Sequence, residues 1–173
     1  STYPPGAKEN GGIFLHTNPW IMIAETILGR GDKAFRYYCQ INPAAKNDKL
    51  DEFESEPYCY PQNILGDEHP QFGMGRNAWL SGTSSWTYQA ATQYILGVRA
   101  SFAGLIVDPC IPSTWKGFEM VRRFRGATYN ITVKNPKGIC KGVEKMVVDG
   151  EVIESNVAPI FSSGTHTIEV TLG

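Results

Sequence analysis

Asn18–Pro43, NPWIMIAETILGRGDKAFRYYCQINP, is the stretch from which the fold of this chain is read. Pro19 suits the first turn of a helix, with Thr17 or Asn18 placed to cap it. Trp20, Ile23, Ala24, Ile27 and Leu28 recur at helical spacing, and Gly29 or Gly31 ends the run. Asp32 is read as the cap of a second helix, DKAFRYYCQI, stopped by Pro43. Two helices joined by so short a turn pack antiparallel.

The segment before this pair, Tyr3–His16, cannot continue the helical pattern. Pro4 and Pro5 remove donors and lock φ, while Gly6, Gly11 and Gly12 permit tight turns and close approach. Between them stand Lys8, Glu9 and Asn10, and the segment closes on His16. Such a loop suits a sugar or an anion; on composition alone it reads equally as a solvated surface turn. A lone histidine beside apolar residues is by itself more often a packed side chain than a ligand.

After Pro43 the stretch to Gln62 has no clean period and is expected to be irregular, with one helical turn; long loops of this kind are often functional. GDEHPQFGMG (66–75) continues as loop, His69 in it facing a cleft or a neighbouring subunit. The run Ser81–Ser85, SGTSS, leads into a helix expected over Trp86–Leu96 and closed by Gly97. Unpaired backbone N–H groups at a helix start attract anions, and Ser81, Thr83, Ser84 and Ser85 add hydroxyls while Gly82 admits a ligand to the backbone. An ordinary Ser/Thr helix cap has the same composition. Trp20, Trp79 and Trp86 lie on or beside helical apolar faces and are expected in the core.

After Arg99 the period changes to two. LIVDPCIP, MVRRFRGATYNITVKN, KMVVDGEVI and HTIEVTL read as strands, with Asp149-Gly150 as a hairpin turn. The fold class is therefore α+β, helices and loops over residues 1–99 and an antiparallel β-sandwich over 100–173. The sandwich reads as a packing domain. The Asn130–Thr132 sequon is taken as noise.

Composition sets limits. A chain of 173 residues with net charge −1 can bury a sizeable core and lacks the basic excess of a nucleic-acid surface. No apolar run reaches membrane-spanning length, and no signal-peptide pattern opens the sequence. Four scattered cysteines without a CxxC pair read as reduced thiols, not metal ligands, and point to the cytoplasm.

YPPGAKENGGIFLHTNPW (3–20) resembles a signature of the inverting disaccharide phosphorylases, the cellobiose and N,N'-diacetylchitobiose phosphorylase family (glycoside hydrolase family 94). SEPYCYPQNILGDEHPQFGMGRNAWLSGTSSWTY (55–88), DPCIPSTWKGF (108–118) and RRFRGATYNITVKNP (122–136) match the same family in the same order. The resemblance implies the C-terminal portion of a longer enzyme: the last helices of an (α/α)6 toroid, then the sandwich. It implies phosphorolysis of a β-1,4 disaccharide, diacetylchitobiose ahead of cellobiose, with inversion, giving an α-sugar 1-phosphate and a free sugar. It assigns phosphate to His16, Ser81, Gly82 and Thr83, and sugar contacts to Tyr3, Lys8, Glu9 and, less directly, Glu56. The general acid, an aspartate, is expected upstream, so no catalytic residue is assigned here. No cofactor or metal is implied; phosphate is a substrate, and the partners expected are the N-terminal half and a second copy in a homodimer. On residues alone, an inverting hydrolase with Glu9 or Glu56 as base and a carbohydrate-binding module formed by the sandwich remain as alternatives.

Overall fold

The computed structural model describes residues 2–173. They fall into two compact units, 2–24 with 36–90, and Glu25–Phe35 with Ala91–Gly173. The helix pair exists as the periodicity predicts: α1 spans Asn18–Ile27 and α2 spans Gly31–Ile41. Capping is different from the expectation. A 3-10 turn, Leu15–Thr17, precedes α1, and Thr17 Oγ1 and Asn18 Nδ2 donate to the Phe14 carbonyl at 3.1 and 3.0 Å rather than accepting from helix N–H groups.

In the first unit, Met22 and Ile23 of α1 share a buried cluster with Tyr37, Tyr38 and Ile41 of α2, joined by Leu15, Tyr60, Ile64 and Ala90. Three two-residue strands, β1 (Ile13–Phe14), β2 (Asn63–Ile64) and β3 (Gly75–Arg76), form a small antiparallel sheet beside it. Between β1 and β2 lie a 3-10 stretch, Pro43–Lys49, and the short helix α3, Leu50–Phe53. Helix α4 covers Thr83–Gln89 and passes into a π-helical stretch, Ala90–Ile95. The helix thus starts three residues earlier than the sequence suggests, because Thr83 and Thr87 turn to the interior and extend the buried stripe. Gly97 does end it, at φ +71°.

In the second unit, β4 (Val98–Ala100), β5 (Leu105–Val107) and β10 (Val157–Ala158) make a three-stranded sheet. β6 (Gly117–Phe124), β7 (Ala127–Lys134), β8 (Val143–Val148), β9 (Glu151–Ile153) and β11 (Thr165–Leu172) make a five-stranded one, in the order β6-β7-β11-β8-β9. Alternation places Ala127, Tyr129, Ile131 and Val133 of β7, and Ile168, Val170 and Leu172 of β11, in the interior. One pair departs from the antiparallel expectation: β7 and β11 run parallel. Everything from Asn135 to Gly164 intervenes between them, which is ample chain for the crossover a parallel pair needs.

The tip of the helical hairpin belongs to this second unit. The Asp32 carboxylate lies in the first turn of α2 and does not cap it; it accepts from Ser113 N–H at 2.8 Å and from Ser113 Oγ at 3.1 Å. Those bonds, the backbone one first, hold its pKa below the ordinary carboxylate value. Lys141 Nζ donates to the Thr26 carbonyl at 3.1 Å, and a Cβ on Gly31 would stand 2.2 Å from the Ile111 carbonyl oxygen. All four cysteines are free thiols, and burial pushes Cys110 up to about 11.

Candidate functional site

The opening loop is folded on itself by its own backbone. Gly6 N–H donates to the Asn10 carbonyl at 2.7 Å, Gly12 N–H to that of Lys8 at 2.9 Å, and Asn10 Nδ2 to that of Tyr3 at 2.8 Å. Gly6 is the position that demands glycine. It is buried at φ +76°, and a Cβ there would meet His69 at 2.6 Å. The closed loop sets the Lys8 ammonium over the Tyr3 ring, 5.3 Å from its centre. Both residues line a cleft of about 210 Å³ together with His69, Arg76 and Asn77. His69 Nδ1 accepts from Gln71 N–H at 3.0 Å, so Nε2 carries the proton of a neutral ring. Tyr3 and Lys8 are therefore brought together, whereas Glu9 is exposed on the same loop and does not line this cleft.

His16 sits on the 3-10 turn that leads into α1, and this turn packs against α4. Its ring stands edge-on to Phe14 (4.7 Å) and to Trp20 (5.9 Å); Trp20 in turn stands edge-on to Trp86 of α4 at 5.6 Å. Trp20 and Trp86 thus connect the imidazole to the helix that follows Ser81-Gly82. The tryptophans are not core residues: Trp20, Trp79 and Trp86 are 45, 67 and 37% exposed. Helical spacing recognises an apolar stripe but not whether the same unit covers it.

At the start of α4, Ser81 Oγ accepts from Thr83 N–H at 3.0 Å and shares a short hydrogen bond with Thr83 Oγ1. Thr83 is fully buried, so its hydroxyl fixes Ser81 from behind while Gly82, Ser84 and Ser85 remain exposed. The first helical backbone bond is from Trp86 N–H to the Gly82 carbonyl, which leaves N–H groups of the opening turn directed out of the helix.

Gln62 joins these two elements, and the sequence reading passes over it. Its carbonyl accepts from Leu15 N–H at 2.9 Å, next to His16, and its Nε2 donates to the Leu80 carbonyl at 3.1 Å, next to Ser81. Its own N–H reaches the Arg76 carbonyl at 3.1 Å. One glutamine after a proline carries no periodic signal, and only the β1–β2–β3 pairing reveals it. Glu56 is attached from another side: Trp79 Nε1 donates to Glu56 Oε1 at 3.1 Å, and that bond holds the carboxyl below its ordinary range. Trp79 itself has φ +70° and faces Tyr58 at 6.1 Å.

A hollow of about 420 Å³ is bordered by Ile13, Leu15, Ile64 and Phe53 with Lys46 and Lys49, and none of the site residues read from the sequence lines it. Among the described residues no three His, Cys, Asp or Glu side chains form a metal-binding group, and no helix is long and apolar enough to cross a membrane.

The chain is 48% identical, over 97% of its length, to an N,N'-diacetylchitobiose phosphorylase of Vibrio proteolyticus, of which it covers 21%. It is 49% identical over 94% to the enzyme of that name from Vibrio furnissii, covering 20%, and 35% identical over 98% to a solabiose phosphorylase of Paenibacillus borealis, covering 22%. The chain therefore spans about a fifth of the length of the curated relatives it matches. The model of the glycosyl hydrolase 94 superfamily catalytic domain matches residues 1–97, more than half of the chain, and the chain belongs to that family.

Proposed function

We propose that this chain forms the phosphate seat and part of the sugar site of an inverting disaccharide phosphorylase, completed by a larger N-terminal portion. The observation that carries the reading is the double link between His16 and Ser81, through Gln62 and through the Trp20–Trp86 contact. An imidazole N–H, the Ser81 hydroxyl and the Gly82 backbone would surround an oxyanion; Thr83, buried with its N–H on Ser81 Oγ, would orient Ser81 from behind instead of meeting the anion itself. Tyr3, Lys8, Glu9 and Glu56 would bind sugar hydroxyls.

In the reaction, a phosphate oxygen attacks the anomeric carbon as the glycosidic bond breaks, and an upstream aspartic acid protonates the departing oxygen. Phosphate arrives already anionic and needs no carboxylate base, which would repel it. Glu56 fits that scheme as a hydroxyl acceptor; held below its ordinary pKa, it is a poorer base for water. The relatives' names favour N,N'-diacetylchitobiose, with cellobiose or a cellodextrin as the alternative. Residues 1–99 would close an (α/α)6 toroid, residues 100–173 a C-terminal sandwich, and the whole would work as a cytoplasmic homodimer.

Product analysis on the full-length protein tests the reaction. Sugar 1-phosphate formed only when phosphate is supplied supports it. Equal turnover to two free sugars without phosphate rejects it.

A further inference from the structure

The five-stranded sheet holds a histidine for which the proposed reaction has no use. His166, near the start of β11, has both ring nitrogens against acceptors: Nδ1 is 2.7 Å from Asp149 Oδ2 and Nε2 is 3.0 Å from the Ser163 carbonyl oxygen. A neutral imidazole has one N–H and one lone pair, so it satisfies only one of these and turns a lone pair on the other. Only the imidazolium donates to both.

Each acceptor is fixed. Asp149 Oδ1 accepts from Thr167 N–H at 2.8 Å, which holds the carboxylate in place at the β8–β9 turn. Ser163 belongs to the loop between β10 and β11. Near its start, Tyr129 Oη donates to the Pro159 carbonyl at 3.1 Å and accepts from Phe161 N–H at 3.2 Å. The Phe161 ring lies on the imidazole, centres 3.6 Å apart and planes 10° apart, a face-on contact that favours a cationic partner. Gly164, at φ +90°, lets the loop close over the ring: a Cβ there would stand 3.3 Å from His166 Nε2.

We propose that His166 is a pH-operated latch on the Pro159–Gly164 loop: doubly protonated, it ties Ser163 to Asp149, and on losing a proton it lets go of one of them. The titratable groups facing the ring are Asp149 from the β8–β9 turn and the Tyr129 phenol from β7. The Asp149 hydrogen bond, then the Ser163 carbonyl, raise the imidazole above its ordinary value against the effect of burial, and Asp149 is lowered in turn, chiefly by His166. The histidine's contribution is therefore complete below the ordinary imidazole pKa and is lost as pH rises through the raised one. That of Asp149 is present above the ordinary carboxylate value and lost as pH falls through the lowered one. The latch is shut between these limits, and at neutral to alkaline pH it is the histidine that opens it.

Hydrogen exchange on the full-length protein tests this, read as protection factors for residues 161–165 relative to β7 at about pH 6 and about pH 9, either side of an ordinary imidazole midpoint. The loop is expected to lose protection severalfold at the higher pH while β7 does not, and His166→Gln to give low protection at both. Asp149→Asn should move the release to lower pH. A flat profile in the parent, or the same pH response in His166→Gln, overturns the proposal. Should either variant lose β7 protection, the imidazole 15N shifts of the parent decide: two protonated nitrogens at about pH 6.5 support the latch, one protonated nitrogen contradicts it.

Discussion

His16 is a single imidazole on a single turn of 3-10 helix, and its proposed work reduces to one N–H aimed at an oxyanion. A hydrogen bond to a charged group contributes about 1.5–3 kcal/mol, so His16→Ala in the full-length enzyme should raise the phosphate KM roughly 10- to 100-fold. The disaccharide KM should move much less; equal changes in both would assign His16 to general packing. Gln62→Ala removes the bond to the Leu80 carbonyl and loosens the Ser81 loop. The predicted cost is about 1 kcal/mol of stability together with a weaker phosphate dependence, readable by denaturant unfolding and by phosphate titration. His16 and Ser81 are proposed from the sequence motifs around them. Gln62 is not, because its partners lie 47 and 18 positions away and neither is part of a pattern.

At the scale of elements, the helix pair and the long strands declare themselves by period, since burial of one face repeats every 3.6 or every 2 residues. Two-residue strands such as β1, β2 and β3 carry no period. They exist because the Tyr3–Gly12 loop and the Gly66–Gly75 loop hold them in place. Gly6→Ala tests that dependence: a left-handed φ and a 2.6 Å clash with His69 should together cost about 2 kcal/mol or more, seen as a lowered Tm, with a further rise in the sugar KM as Lys8 leaves Tyr3. Asp32→Ala removes the bonds to Ser113 at the hairpin tip. An exposed carboxylate is partly screened, so the expected loss is about 1 kcal/mol. Because its pKa is lowered in the folded chain, that contribution is present above the ordinary aspartate value and disappears as pH falls through the lowered one. An acid unfolding curve for Asp32→Ala that runs parallel to the parent's at every pH would contradict it.

For the whole molecule, the sequence conveys the order of helical and strand-rich parts but not how compactness divides them. Glu25–Phe35 joins the strands through Asp32, Thr26 and Phe35, contacts 80 or more residues apart that no local pattern encodes. The parallel β7–β11 pair is likewise a matter of topology, invisible to a period-2 count. Exposed Trp20, Trp79 and Trp86 show the limit of reading burial from spacing in a chain that spans about a fifth of its relatives. The central claim concerns a location: where inorganic phosphate rests in the complete enzyme. A crystal structure of the full-length protein with phosphate bound measures it directly. The anion is predicted within hydrogen-bonding distance of the His16 imidazole and the Ser81 hydroxyl at once; phosphate ordered elsewhere in the catalytic domain, with those two groups contacting only each other or solvent, would contradict the account.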